Sequence, residues 1–128
     1  MEAKELRIGN LIEIISEKQI AVITSILFNA VYSTYGTHDF DYIKPIPLTE
    51  EWLLKFGFEW CRSKYTGEPD ILYIDISQNE SIAFEKGEFF IHSLAGHEVF
   101  TFWWEIKYVH ELQNLYFALS RLELEIKS

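Results

Sequence analysis

Apolar and polar positions alternate with a period of two along much of this chain, the pattern of extended strands with one face turned to a core. Residues 10–15 and 20–28 are β-branched-rich runs separated by Ser16-Glu17-Lys18-Gln19, a polar stretch of hairpin-loop length. Residues 31–35 and 42–46 are further strand candidates, and Gly36-Thr37-His38-Asp39 between them reads as a turn because Gly and Asp are turn formers. Residues 1–46 thus predict a small antiparallel sheet, short-stranded enough to curl into a barrel. A second meander follows. Residues 58–65 and 71–77 flank Thr66-Gly67-Glu68-Pro69-Asp70, residues 82–85 and 88–92 make a hairpin around Lys86-Gly87, and residues 99–104 add a strand. Leu72, Ile74 and Ile76 alternate with Tyr73, Asp75 and Ser77, which predicts a sheet with one wet face.

Two stretches break the alternation. Pro45 and Pro47 end the first sheet, and Thr49 then stands as an N-cap with Glu50 and Glu51 in a first turn that favours anions. Leu48 and Leu53 form a staple pair, and Gly57 suits the left-handed closing position with Phe58 folding back toward Leu53, so the prediction is a helix over residues 50–56. From Lys107 to Leu119, Val109, Leu112, Tyr116 and Leu119, with Leu115 beside them, recur at spacings of three and four, while Glu111, Gln113 and Asn114 take the other side. That spacing predicts an amphipathic helix with one buried stripe. Leu122, Leu124 and Ile126 alternate with Glu123, Glu125 and Lys127, predicting a last strand. There is no repeat and no linker. The expected fold is therefore one α+β domain over residues 1–128, with two small antiparallel β units, a short central helix and a C-terminal amphipathic helix.

At 128 residues and 15.1 kDa the chain can build a core without staples, since roughly two-thirds of its surface is buried on folding. Ten Phe, seven Tyr and four Trp, 16% of the chain, must fill that core or remain outside as contact surface. Charge narrows the partners. Residues 1–64 hold seven basic and nine acidic side chains and residues 65–128 hold four and eleven, for a net charge of −9. Counterion release on nucleic acid needs clustered Lys and Arg, and none is present, so direct DNA or RNA binding is not expected. The dispersed acids read as a solubility device rather than as a nucleic-acid mimic. Cys61 is the single cysteine, which rules out an internal disulfide, a zinc tetrad and a redox pair and points to a reducing compartment. The N-terminus lacks a basic start leading into an apolar stretch, and no run approaches a bilayer span, so a cytoplasmic location without membrane contact is expected.

Reactive constellations are sparse. No glycine-rich phosphate loop occurs. His110-Glu111 opens like a zinc-protease helix, but the position of the second ligand is Asn114, so His110 reads as a helix-surface or boundary residue. His92 and His97 with Glu98 lack an obvious third or fourth ligand. His38-Asp39-Phe40-Asp41 places a base near two carboxylates that an extended chain would put on one face, yet acid–base work needs a cleft and shifted pKa values, and a solvated loop is the simpler reading. Cys61 reads as a small buried hydrophobe. No metal, cofactor or catalytic residue is expected. In Phe100-Thr101-Phe102-Trp103-Trp104 a strand puts Phe100, Phe102 and Trp104 on one face, leaving Trp103 on the other, either as a contact anchor or in a second buried layer against the C-terminal helix. Tyr32 and Tyr35 fall on opposite faces by parity, so at least one of them can stand exposed near His38. Trp103, Tyr35 and His38 are the candidate binding residues.

Three stretches are familiar together: Glu5-Leu6-Arg7-Ile8-Gly9-Asn10, Pro45-Ile46-Pro47-Leu48-Thr49-Glu50-Glu51-Trp52-Leu53-Leu54-Lys55-Phe56-Gly57-Phe58, and Ile106-Lys107-Tyr108-Val109-His110-Glu111-Leu112-Gln113-Asn114-Leu115-Tyr116-Phe117-Ala118-Leu119. Covering about a quarter of the chain, they resemble a group of small proteins of phages and prophages of Bacteroides-type bacteria. The resemblance implies a genome context and no mechanism, and no site residue carries over from it. The section Glu59 to Glu105 lies outside it and would be the place for individual binding. The expected function is that of a non-enzymatic accessory protein that binds a host protein, such as a defence or nucleic-acid-processing enzyme. The alternative is a small-molecule sponge for a nucleotide, for which Arg7, Lys44, Lys55, Arg62 and Lys64 are the available cations. A metal-free hydrolase built on His38, Asp39 and Asp41 is a third possibility.

Overall fold

Among the described residues ten short strands and two α-helices form, arranged as an α+β fold with more strand than helix. The computed structural model describes residues 3–62, 69–85, 87–93, 99–101 and 105–127. The chain divides into two compact units, Met1–Leu48 with Lys107–Glu123, and Thr49–Ile106 with Leu124–Ser128.

The first unit is a five-stranded antiparallel sheet in the order β4-β3-β2-β1-β5, curled as a half-barrel. Its strands are β1 (Leu11–Ile14), β2 (Gln19–Ile26), β3 (Ala30–Ser33), β4 (Gly36–Asp39) and β5 (Ile43–Lys44). The eight-residue β2 serves both halves of the curl, and its pairing with β3 shifts register between Ile23 and Ser25, where a bulge lets the sheet bend. A 3-10 turn, Phe40–Tyr42, carries the chain from β4 back to β5, which pairs with β1 through Glu13↔Lys44 and Ile14↔Ile43. Alternation puts Ile12, Ile14, Ala21, Ile23, Val31 and Ile43 on the inner face, where with Leu6 they form the core.

Gly36-Thr37-His38-Asp39, expected as a turn, is strand β4. The reversal occurs two residues earlier at Thr34-Tyr35, between the paired residues Ser33 and Gly36. Ser33 makes that turn viable: its Oγ accepts from the Tyr35 N–H at 3.1 Å and donates to the Gly36 carbonyl at 3.2 Å. Gly36 takes φ +105 just after the turn, so the glycine punctuates the chain as the first residue of the strand. Pro45 has no N–H to continue β5. The chain beyond it bonds to the start of the last helix instead, Val109 N–H to Ile46 carbonyl and Leu48 N–H to Lys107 carbonyl, each at 2.9 Å.

That helix, α2 (Val109–Ser120), starts two residues later than the periodicity suggested because the Glu111 carboxylate accepts from the Lys107 and Tyr108 N–H groups at 3.1 and 3.0 Å. It ends where Arg121 adopts a left-handed conformation, φ 65. The expected strand at residues 122–126 does not form; Leu124 alone is buried there, and Leu122 and Ile126 remain exposed.

The second unit carries α1 (Glu50–Lys55) and a five-stranded meander, β6 (Glu59–Arg62), β7 (Pro69–Asp75), β8 (Glu80–Glu85), β9 (Glu88–Ser93) and β10 (Val99–Thr101), in sequence order. Register puts Leu72, Phe84 and Phe89 in one row and Ile74, Ile82 and Ile91 in the next on the same face, with the Phe84 and Phe89 rings 4.8 Å apart. The opposite face is only partly wet: Ser81 and Ala83 are buried, although Tyr73 donates to Glu59 and Ser81 to Asp75 across the strands. Helix α1 begins at the expected cap, with the Thr49 hydroxyl accepting from the Trp52 N–H. It closes in a Schellman motif, the N–H groups of Phe58 and Gly57 meeting the Leu53 and Leu54 carbonyls at 3.0 Å, with Gly57 at φ +95. A Cβ on Gly57 would also lie 3.0 Å from the Lys127 side chain. Gly57→Ala is expected to lower the unfolding free energy by about 1–2 kcal/mol through the left-handed backbone alone, as read from urea titration.

Candidate functional site

The densest polar cluster in the first unit joins α2 to the first turn of the chain. The Leu11 N–H points away from β2, to the side where the two-residue β5 does not reach, and Gln113 Oε1 takes it at 2.8 Å. Gln113 Nε2 donates to the Gly9 carbonyl at 3.2 Å. Asn114 accepts from Asn10 Nδ2 at 2.8 Å and from Arg7 Nε at 3.3 Å, and its own amide donates to the Glu5 carbonyl at 3.0 Å. The Arg7 guanidinium grips both carboxylate oxygens of Glu123 and lies 4.1 Å over the Phe117 ring. Gln113, assigned by periodicity to the wet side of the helix, is only 2% exposed. Periodicity misplaced it because a buried amide is tolerated where all its bonds are met, and the sequence does not display its partners. These groups are mutually satisfied and turn no reactive atom outward, so the cluster is architecture.

The sheet of the first unit has a different character on its outer side. Ile20, Val22 and Tyr32 are exposed there, Tyr32 at 45%. β2 and β3 are joined by a two-residue turn, Phe28-Asn29, closed by the Leu27 N–H on the Ala30 carbonyl at 2.8 Å, and Phe28 at its tip is 98% exposed. Sequence reading placed Phe28 inside a strand and so missed it. The signal was Asn29, a turn former one residue on. The Phe40 N–H reaches the Asn29 carbonyl, so this tip adjoins the 3-10 turn that carries Asp41 and the exposed Tyr42.

Of the three candidate binding residues, Tyr35 sits in the Thr34-Tyr35 turn and is 50% exposed. His38 lies on β4 directly opposite Val31, a core residue, so its half-buried ring belongs to the inner face and its Nδ1 is buried with no partner among the described residues. Tyr35 and His38 thus share a hairpin without sharing a face. Trp103 lies outside the described residues, as do His97 and Glu98 and the side chains of Cys61, Arg62 and His92. Asp39 and Asp41 do not alternate along one extended chain, because the 3-10 turn intervenes. Among the described residues no three His, Cys, Asp or Glu side chains gather to hold a metal ion.

Three of the five cations suggested for a nucleotide have other duties, and Lys64 and the side chain of Arg62 lie outside the described residues. Arg7 binds Glu123, Lys44 pairs with Glu13 at 2.9 Å, and Lys55 pairs with Glu51 at 3.7 Å while lying 4.7 Å over the Trp52 ring. No helix among the described residues is long and apolar enough to cross a membrane. No family model, curated protein or solved structure matches the chain.

His110, expected at the surface or boundary of its helix, is 2% exposed, stacked on Tyr108 with ring centroids 5.9 Å apart, and its Nδ1 has no partner among the described residues. Burial pushes its pKa below the ordinary 6.5, against the opposing pull of the Glu111 and Glu5 carboxylates. The unfolded chain therefore takes up this proton more readily than the folded one, so stability is full above about pH 6.5 and falls as pH drops from there toward the lowered folded value. Urea unfolding at pH 7.5 and 5.5 is expected to show lower stability at the acid value, and a smaller difference in His110→Gln. Gln113→Ala strands the buried Leu11 N–H and is expected to cost about 1–3 kcal/mol in the same assay at neutral pH.

Proposed function

We propose that this protein is a non-catalytic binding protein that docks on a host-cell protein through aromatic side chains, those exposed on its first unit foremost, in the accessory role that the phage and prophage resemblance implies. The observation that supports this most directly is Phe28, a ring standing 98% in water at the tip of a two-residue turn. Exposed there it adds nothing to the core, whereas buried under a partner it supplies the large apolar contact that dominates interface energetics. Leu27 beside it is also exposed, as are Tyr42 on the adjoining 3-10 turn and Tyr32, Ile20 and Val22 along the outer face. The alternative nucleotide sponge has less support, because Arg7, Lys44 and Lys55 are already paired with carboxylates. Trp103 remains a second anchor candidate in this proposal. The setting it implies is the host cytoplasm.

Tagged protein incubated with lysate of a Bacteroides-type host is expected to enrich one host protein over a tag-only control, as quantified by mass spectrometry. Phe28→Ser should lose about tenfold or more of that enrichment with its melting temperature unchanged, and Trp103→Ala gauges the second anchor. Enrichment no greater than the control, or equal for wild type and both variants, overturns the proposal.

A further inference from the structure

The first sheet has two edges, and they are finished differently. At one edge β5 is two residues long, carries Lys44 and runs into Pro45, three devices that keep another strand from adding. At the other edge β4, Gly36–Asp39, has no Pro, no Lys and no register shift against β3. Ser33 and Gly36 close a two-residue turn and so exchange both hydrogen bonds, and by antiparallel alternation Val31 and His38 do the same. Thr37 then directs its N–H and C=O away from β3, and Asp39 directs its N–H the same way, while the Asp39 carbonyl is taken by the 3-10 turn. Among the described residues no hydrogen bond meets these three outward groups.

Resting on the binding reading above, we infer that the β4 edge receives an extended segment of the partner protein, with a basic residue placed two positions along from an apolar or β-branched one. Thr37 and Asp39 share the outer face of β4, and Thr37 lies directly opposite the exposed Tyr32. An added strand bonded to Thr37 would rest one side chain beside Thr37 and Tyr32, which suits an apolar or β-branched residue. Its next side chain on that face would stand beside Asp39. Asp39 and Asp41 are exposed and pair with no cation among the described residues, so the complementary group is Lys or Arg. A second copy of this chain is the wrong occupant, because two molecules at −9 repel.

The probe is a short acetylated and amidated peptide of alternating valine and threonine carrying one arginine, titrated into the full chain and followed by amide NMR. The Thr37 and Asp39 N–H signals are expected to shift and to exchange more slowly with water. Thr37→Pro removes only an outward N–H, which an edge strand tolerates, and should weaken binding about tenfold or more. Asp39→Lys should weaken the arginine peptide and favour its glutamate counterpart, a test that stands even if the proline variant folds poorly. Equal binding by wild type and both variants overturns the inference, as does a dimer on light scattering that Thr37→Pro abolishes. In the lysate experiment, loss of the host protein with Phe28→Ser but not with Thr37→Pro overturns the edge inference and leaves the binding reading standing; retention by Thr37→Pro together with Phe28→Ser and Trp103→Ala overturns both.

Discussion

A β-strand whose neighbour stops short leaves main-chain groups that must find other partners, and the start of β1 is such a place. β5 covers only Glu13 and Ile14, so the buried Leu11 N–H would be stranded without the Gln113 side chain. Supplying that one acceptor fixes the rotation of α2, because Gln113 must face the strand and Asn114, one residue on, then faces Asn10 and the Glu5 carbonyl. Arg7 and Glu123 close the same arrangement from the two ends of the unit's sequence. The familiar stretches Glu5–Asn10 and Ile106–Leu119 meet through these bonds, and Ile46–Leu48 joins them through the backbone of residues 107–109. Their side chains are held in mutual bonding.

Local chemistry announced some of this and concealed the rest. Thr49 and Gly57 marked the ends of α1 because a cap and a left-handed closing residue act within a few positions of chain. The alternating runs marked both meanders for the same reason. β4 was hidden because its Gly36 and Asp39 are turn formers by composition, while the actual turn, Thr34-Tyr35, is held by a Ser33 hydroxyl whose two bonds appear only in three dimensions. Gln113 and His110 were placed on wet or boundary positions because a polar residue is read as exposed until its buried surroundings are seen. Leu122, Leu124 and Ile126 alternate convincingly, but alternation specifies a strand only where a neighbouring edge is open to pair with it. Of the candidate site, Tyr35 was legible and exposed, His38 turned inward, and Phe28 was lost inside a run of apolar letters.

Charge divides between the two units as unequally as between the halves of the sequence. Residues 1–48 with 107–123 hold six basic and eight acidic side chains, and residues 49–106 with 124–128 hold five and twelve. In the first unit three carboxylates have structural duties: Glu13 binds Lys44, Glu111 caps α2 and Glu123 holds Arg7. Asp39 and Asp41 have none among the described residues; Asp39 lies on β4, the edge strand that carries no Pro and no Lys, and Asp41 on the 3-10 turn that follows it. The two facts bear on each other. Bare main-chain groups on β4 would accept any extended chain, including another copy, and a carboxylate beside them is the simplest way to make acceptance depend on the sign of the incoming charge. The acid excess of the whole chain acts in the same direction at longer range, drawing basic partners in and holding acidic ones off, with an effect that weakens as salt is added.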